Sequence, residues 1–193
     1  YVDAVRCTTA LIPGSSCPAV NAATNQFVLL RYANQSARIH GIDLSGHAPL
    51  GKTGWGEWGL KGLLNYANGR NRDTGDGLYN IMPMNARITL TQQLGGWDNG
   101  IELVMVKAKN GVSDVRNEIK TSGYSLVNLR ASYAWKQARV DFGIENLFDK
   151  SYDLPLGGAY TAQGTTMSMN GSPWGIAVPG MGRSAYAGVS MKF

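Results

Sequence analysis

The sequence predicts an all-β fold, an antiparallel up-and-down barrel that crosses a membrane with its strands. Three observations lead there. Apolar residues recur with a period of two in segment after segment, the pattern of strands that have one apolar face. The connectors between those segments alternate between short and long, as in barrels with tight turns at one end and extended loops at the other. The third observation is compositional. The chain is 44% hydrophobic, only 16% charged, and carries 25 glycines in 193 residues, yet no window holds about 18 consecutive apolar residues. Disorder and a membrane-spanning helix are therefore excluded, while barrel strands remain open.

About eight strands are predicted: 1–6, 26–46, 53–68, 83–95, 97–109, 122–135, 138–149 and 183–193. The first opens Tyr1-Val2-Asp3 with no methionine, basic leader or apolar leader segment, so the chain is expected to start inside a longer polypeptide. In the second, Ile42 and Leu44 flank Asp43. In the third, Trp58, Leu60, Leu64 and Tyr66 alternate with Glu57, Lys61, Leu63 and Asn65. The fourth sets Ile88, Leu90 and Leu94 against Arg87, Thr89, Thr91 and Gln93, and the fifth sets Ile101, Leu103 and Met105 against Glu102, Val104 and Val106. Val127, Leu129, Ala131, Tyr133 and Trp135 line one face of the sixth. Val140, Phe142 and Ile144 oppose Arg139, Asp141, Gly143 and Glu145 in the seventh. The last strand is the clearest, with Ala185, Ala187, Val189, Met191 and Phe193 on one side and Ser184, Tyr186, Gly188, Ser190 and Lys192 on the other.

Short connectors are expected at His47–Lys52, Gly95–Asp98 and Lys136–Ala138, and long ones at 7–25, 69–82, 110–121 and 150–182. In an outer-membrane barrel the short turns face the periplasm. Trp97 and Trp135 beside two of those turns, with Phe193 at the same level, would then form an interfacial aromatic girdle. A soluble β-sandwich also gives period two. Strands of ten or more residues with Arg87, Arg130, Arg139, Asp141 and Glu145 on the inward face argue against it.

Cys7 and Cys17 bracket a loop bearing proline and glycine, which a disulfide would close in an oxidising compartment; two unpaired thiols are the alternative. The net charge is +5, but the basic residues are scattered with no single run. Nucleic acid is thus not indicated, and an anionic lipid surface fits better. Arg70, Arg72, Lys109, Arg116 and Lys120 are placed near the external rim, where lipopolysaccharide phosphates lie.

Chemical motifs are scarce. Gly54-Trp55-Gly56-Glu57-Trp58-Gly59 matches the dinucleotide fingerprint in form, but a strand-like pattern follows where a helix is required. Asn71 to Gly77 resembles a calcium loop without its terminal glutamate, and reads as a solvated turn. Asp141 and Glu145 lie about 13 Å apart along one strand, too far to act as an acid/base pair. No nucleophile elbow, zinc motif or phosphate loop occurs, so neither an enzyme nor a cofactor is indicated.

Val127-Asn128-Leu129-Arg130-Ala131-Ser132-Tyr133, Ala138 through Asn146-Leu147-Phe148-Asp149-Lys150-Ser151-Tyr152, and Gly182 to Phe193 together resemble the C-terminal end of a TonB-dependent outer-membrane receptor. Tyr32 to Ser45 is similar to a second stretch that recurs mid-barrel in that family. The resemblance implies a barrel of about 22 strands closed by a plug. It also implies localisation to the outer membrane and import of a scarce ligand: a metal chelate, a siderophore, cobalamin or copper. The implied partners are an inner-membrane energy-transducing complex reached through an N-terminal region, and the barrel-assembly machinery, which reads a terminal aromatic such as Phe193. Residues 1–193 would be the last third of such a barrel, without plug or early strands, and strands 1–6 and 183–193 would not pair with each other.

Ligand contacts are expected in the last long loop, at Tyr160, Met167, Met169, Trp174 and Met181. Thioethers favour soft Cu(I), which raises copper; packing of methionine and tryptophan over the barrel mouth is the alternative. A competing reading of the whole chain is a self-contained eight-stranded barrel acting as anchor or adhesin. Gly59, Gly143, Gly188, Ser132 and Ser190 on the inward face disfavour it, because a narrow lumen must be filled by bulky groups.

Overall fold

The computed structural model describes residues 2–6, 30–116, 118–158 and 176–192. Among these residues nine strands form two antiparallel sheets. β1 (Val2–Arg6) pairs with β2 (Leu30–Asn34) in one. The other is a seven-stranded meander of β3 (Ala37–Thr53), β4 (Gly56–Asn71), β5 (Asn85–Leu94), β6 (Trp97–Val106), β7 (Tyr124–Trp135), β8 (Ala138–Glu145) and β9 (Ser184–Met191), each beside its sequence neighbour. Among the described residues β9 pairs with β8 and β1 with β2, with no ladder between β1 and β9.

Residues opposite one another in an antiparallel ladder share a face, so the register decides what each face carries. One row runs Ala48, Leu60, Leu90, Ile101, Leu129, Ile144 and Ala185 across all seven strands. Beside it lie Ala131, Phe142 and Ala187, then Tyr133, Val140 and Val189. The opposite face carries His47, Lys61, Thr89, Glu102 and Asn128 in one row and Thr91, Gly100, Arg130, Gly143 and Tyr186 in the next. The alternation seen in the sequence is thus one continuous apolar face and one polar face. Leu60, Ile101, Phe142 and Val189 all remain exposed on the apolar side.

Two expectations are corrected. The short connector is not His47–Lys52: β3 runs on to Thr53, and Gly54-Trp55 make the turn. Pro49 and Gly51 read as turn residues, but here they carry a bulge, with the register shifting between them and Gly51 at φ +121°. The predicted strand 26–46 is broken at Gln35-Ser36. The Ser36 carbonyl accepts the Arg72 N–H and its own N–H is donated to the Asp73 carboxylate, so a loop takes the backbone groups that a ladder would need.

All three turns of the meander at this end have two residues: Gly54-Trp55, Gly95-Gly96 and Lys136-Gln137. Gly95 and Gly96 both have positive φ, as the hairpin turn that matches strand twist requires. Trp97 and Trp135 stand beside two of these turns on the apolar face, and Trp97 packs against Tyr133 with ring centroids 5.1 Å apart. At the other end the connectors are long. There the buried residues concentrate, with Leu78, Val112, Ala177, Lys109, Ser113, Asn71 and Asn146 all nearly inaccessible.

Candidate functional site

The loop end is a platform knit from three connectors, between β4 and β5, between β6 and β7, and between β8 and β9. Its centre is a buried ion pair. The Lys109 ammonium contacts the Glu118 carboxylate and also donates to the Pro155 carbonyl at 3.0 Å. Glu118 in turn accepts the Asn80 N–H at 2.9 Å and the Ser113 N–H at 2.8 Å. One lysine and one glutamate thereby join all three connectors. Each ion has further hydrogen bonds, the condition under which a buried pair is tolerated at all.

Around that pair the connectors meet closely. A Cβ on Gly77 would fall 2.6 Å from the Val112 carbonyl oxygen, so the first two run backbone against backbone. Asp76 accepts the Asp114 N–H at 2.9 Å and the Gly77 N–H at 2.9 Å, while the Asn71 side chain accepts the N–H groups of Asp73 and Thr74. The carboxylates of the loop that resembles a calcium site are therefore used as backbone acceptors. Among the described residues no group of three metal-ligating side chains is suited to hold a cation. Arg116 donates to Asp3 at 3.0 Å, and its guanidinium lies 5.0 Å from the Tyr79 ring and 5.8 Å from the Tyr32 ring, tying the β1–β2 sheet to the platform. The cavity between Tyr79, Thr121 and Leu154 has about 80 Å³, room for a few waters and not for a carried ligand.

Asn146 sets where the last connector begins. Its backbone is left-handed, at φ +51°, and its N–H donates to the Asn128 side chain at 2.9 Å. Its own amide accepts the Lys150 N–H at 2.8 Å and donates to the carbonyls of Lys150 and Met181 at 2.9 and 3.2 Å. Asp149 accepts the Arg183 N–H at 2.8 Å. The Asn-Leu-Phe-Asp-Lys element is thus a clasp that holds both feet of the loop together. Asparagine suits it because it tolerates the left-handed region and offers donor and acceptor on one short arm.

Below the platform, the polar face carries a charge network. Glu102 contacts Arg87 at 3.5 Å and Arg130 at 3.6 Å and accepts from Asn128 at 3.0 Å, while Arg130 also reaches Glu145 at 4.0 Å. Arg139 pairs with Asp141 at 2.8 Å. Such an arrangement holds a polar wall in shape and offers charged groups to whatever stands against it.

Residues 9–147 match the model of the TonB-dependent receptor-like β-barrel family. The chain belongs to this family. Among curated proteins, the chain is similar to the heme/hemopexin utilization protein C of Haemophilus influenzae strain 86-028NP, 29% identical over 126 residues, which are 61% of this chain and 17% of that protein. Among solved structures, the copper transporter OprC superposes with a TM-score of 0.75 at 28% identity, covering 88% of this chain and 26% of that one. The ferric yersiniabactin uptake receptor FyuA from Yersinia pestis gives 0.61 at 16% identity, covering 81% and 24%, a likeness of fold. The chain spans about a sixth of that curated relative and about a quarter of each of these solved chains.

Of the residues expected to meet a ligand, Met181 is exposed at the foot of the last loop. Tyr160, Met167, Met169 and Trp174 lie outside the described residues, as do Cys7, Cys17 and Phe193. Two cations expected at the rim are placed otherwise. Lys109 is buried against Glu118, and Arg116 is drawn in to Asp3, because each has an acidic partner within reach. Arg70, Arg72 and Lys120 are exposed at the loop end. The Lys109–Glu118 pair and the hub at Glu102 escaped the sequence reading. Alternation put Glu102 on the polar face, but nothing in spacing says which arginines across two strands converge on it.

Proposed function

We propose that the chain forms part of the wall of an outer-membrane receptor that imports a scarce ligand with energy relayed by the TonB complex of the inner membrane. The observation that carries this reading is the two-faced sheet. Its apolar face runs unbroken across seven strands with its residues exposed or half-buried and none of that row fully buried, which suits lipid, while the opposite face is charge-paired, which suits a plug or water. The two-residue turns then face the periplasm and the platform faces outward, with Trp97 and Trp135 in the periplasmic girdle. Phe193 would be read by the barrel-assembly machinery, and Cys7 and Cys17 would close an external loop. The plug and the transducer contact would be supplied by chain outside residues 1–193. A closed eight-stranded barrel is less well supported, since among the described residues no ladder joins β1 to β9 and the β1–β2 pair is a sheet separate from β3 to β9.

For the cargo, the proposal is copper. The likeness to a copper transporter over most of the chain supports it, as do the thioethers of Met167, Met169 and Met181 on the last loop, donors of the soft class that Cu(I) prefers. The test is energised uptake by cells carrying the intact receptor, with copper and heme offered in parallel. Copper uptake that falls several-fold in a Met167→Ala/Met169→Ala/Met181→Ala variant supports the assignment. Heme uptake with copper uptake absent would transfer it to the cargo named for the Haemophilus relative.

A further inference from the structure

At the loop end of the apolar face lies an open groove of about 680 Å³. Its walls follow from the register. Leu64, Ala86, Met105 and Ser125 are ladder partners in one row, and Met84 and Lys107 follow in the next, joined by the Lys107 N–H to Met84 carbonyl bond of 2.9 Å. Gly123 completes the lining on the β7 side. A Cβ there would fall 2.9 Å from the Ala108 nitrogen, so the two limbs of the β6–β7 connector run backbone against backbone at that point. Lys107 and Lys150 border the same groove, and both are exposed. Among the described residues no carboxylate lies within 4.0 Å of either ammonium. Asp149, the acid next to Lys150 in the chain, is occupied with the Arg183 N–H.

We propose that this groove seats a phosphorylated glycolipid of the outer leaflet, with acyl carbon along Leu64, Met84, Ala86 and Met105 and phosphate between Lys107 and Lys150. The inference rests on the outer-membrane reading given above, which turns the loop end outward. The chemistry is that of an anionic amphiphile. A groove of several hundred Å³ on a lipid-facing wall takes hydrocarbon, and two unpaired ammonium groups at the end nearest the aqueous boundary take a doubly charged oxyanion through charge-assisted hydrogen bonds. Lysine stems also lie along apolar surface while their heads reach the interface, so the two residues serve both parts of such a lipid. Lys109 and Arg116, by contrast, are committed to internal acids and leave no charge for this purpose.

The test uses the intact receptor purified from outer membranes, with lipid adducts counted by native mass spectrometry against diphosphoryl lipid A, monophosphoryl lipid A and phosphatidylglycerol. Lys107→Gln/Lys150→Gln is compared with Lys136→Gln/Lys192→Gln, whose lysines border a similar groove at the turn end. The proposal expects diphosphoryl lipid A to bind at least about tenfold more weakly to the first variant and unchanged to the second. Ala86→Phe, which fills the groove without touching charge, should weaken it as well. Equal losses in the two lysine variants, or no loss in the first, would overturn the site. Phosphatidylglycerol binding as tightly as lipid A would overturn the glycolipid assignment. Protease accessibility of the long loops on whole cells reads the outer-membrane orientation separately, so its failure is told apart from failure of the groove.

Discussion

Two ends of the same hairpin live in different surroundings. At the turn end of β6 and β7, Trp97 and Trp135 stand exposed beside two-residue turns, and Ile101 above them is half uncovered. At the loop end Val106, Lys109, Val112, Ser113 and Thr121 are all buried. The loop end is built as a water-soluble domain is built, by burying its own side chains and pairing its own ions. The strand end has no such interior: its backbone is satisfied by the ladder, and its apolar face waits for an external solvent. One chain thus prepares for two solvents, with the boundary set by where the ladders stop.

Breaking the buried pair tests the loop end most severely. Lys109→Met leaves Glu118 charged and unpartnered in the platform, and should destabilise it by about 3–5 kcal/mol. Amide exchange should accelerate across residues 107–123 while β6 and β7 stay protected. A second change, Glu118→Leu, should fail to restore full protection, because the Asn80 and Ser113 N–H groups then lose their acceptor. For the strand end the matching change is Phe142→Arg. A cation on the lipid-facing side should cost about 2–4 kcal/mol in urea titrations of the receptor refolded into vesicles. Asp141→Asn, one residue away on the other face, should cost far less, and equal costs would show that the faces had been assigned wrongly.

Asn146→Ala probes the seam between the two regions. It removes the side-chain bonds to the backbone of Lys150 and Met181 and puts a β-carbon residue without a polar arm at φ +51°; a loss of about 2 kcal/mol is expected. Limited proteolysis should then cut the last loop faster with the strands intact. The smallest effect is predicted for Arg139→Gln. Its pair with Asp141 is half exposed, so the change should fall below about 1 kcal/mol.

Much of this was legible in the residues. From β5 to β9 the faces follow directly from alternation, since a period of two leaves each side chain only one choice of side. Gly95-Gly96 declares its turn because two adjacent glycines permit two positive φ angles. The Asn146 element was legible as a marker of family, although its work as a clasp was not. The loop end was the least legible region, because its contacts join residues far apart in sequence, such as Lys109 to Pro155 and Arg116 to Asp3.

Taken alone, the sequence determined the fold class, the facing of β5 to β9, two of the three tight turns and the family resemblance. All of these rest on interactions between near neighbours or on a regular period, which a linear string records. Tertiary structure alone decided that Pro49 and Gly51 make a bulge instead of a turn, that Gln35-Ser36 leave the ladder for a loop, and that Glu102 gathers Arg87 and Arg130. It also decided which cations are spent inside, as Lys109 is, and which stand free beside an apolar groove, as Lys107 and Lys150 do. A charge carries no mark in the sequence of whether an acid will come within reach. Only the register of neighbouring strands and the packing of loops above them settle that distance, and with electrostatics falling off as solvent intervenes, the distance decides the role.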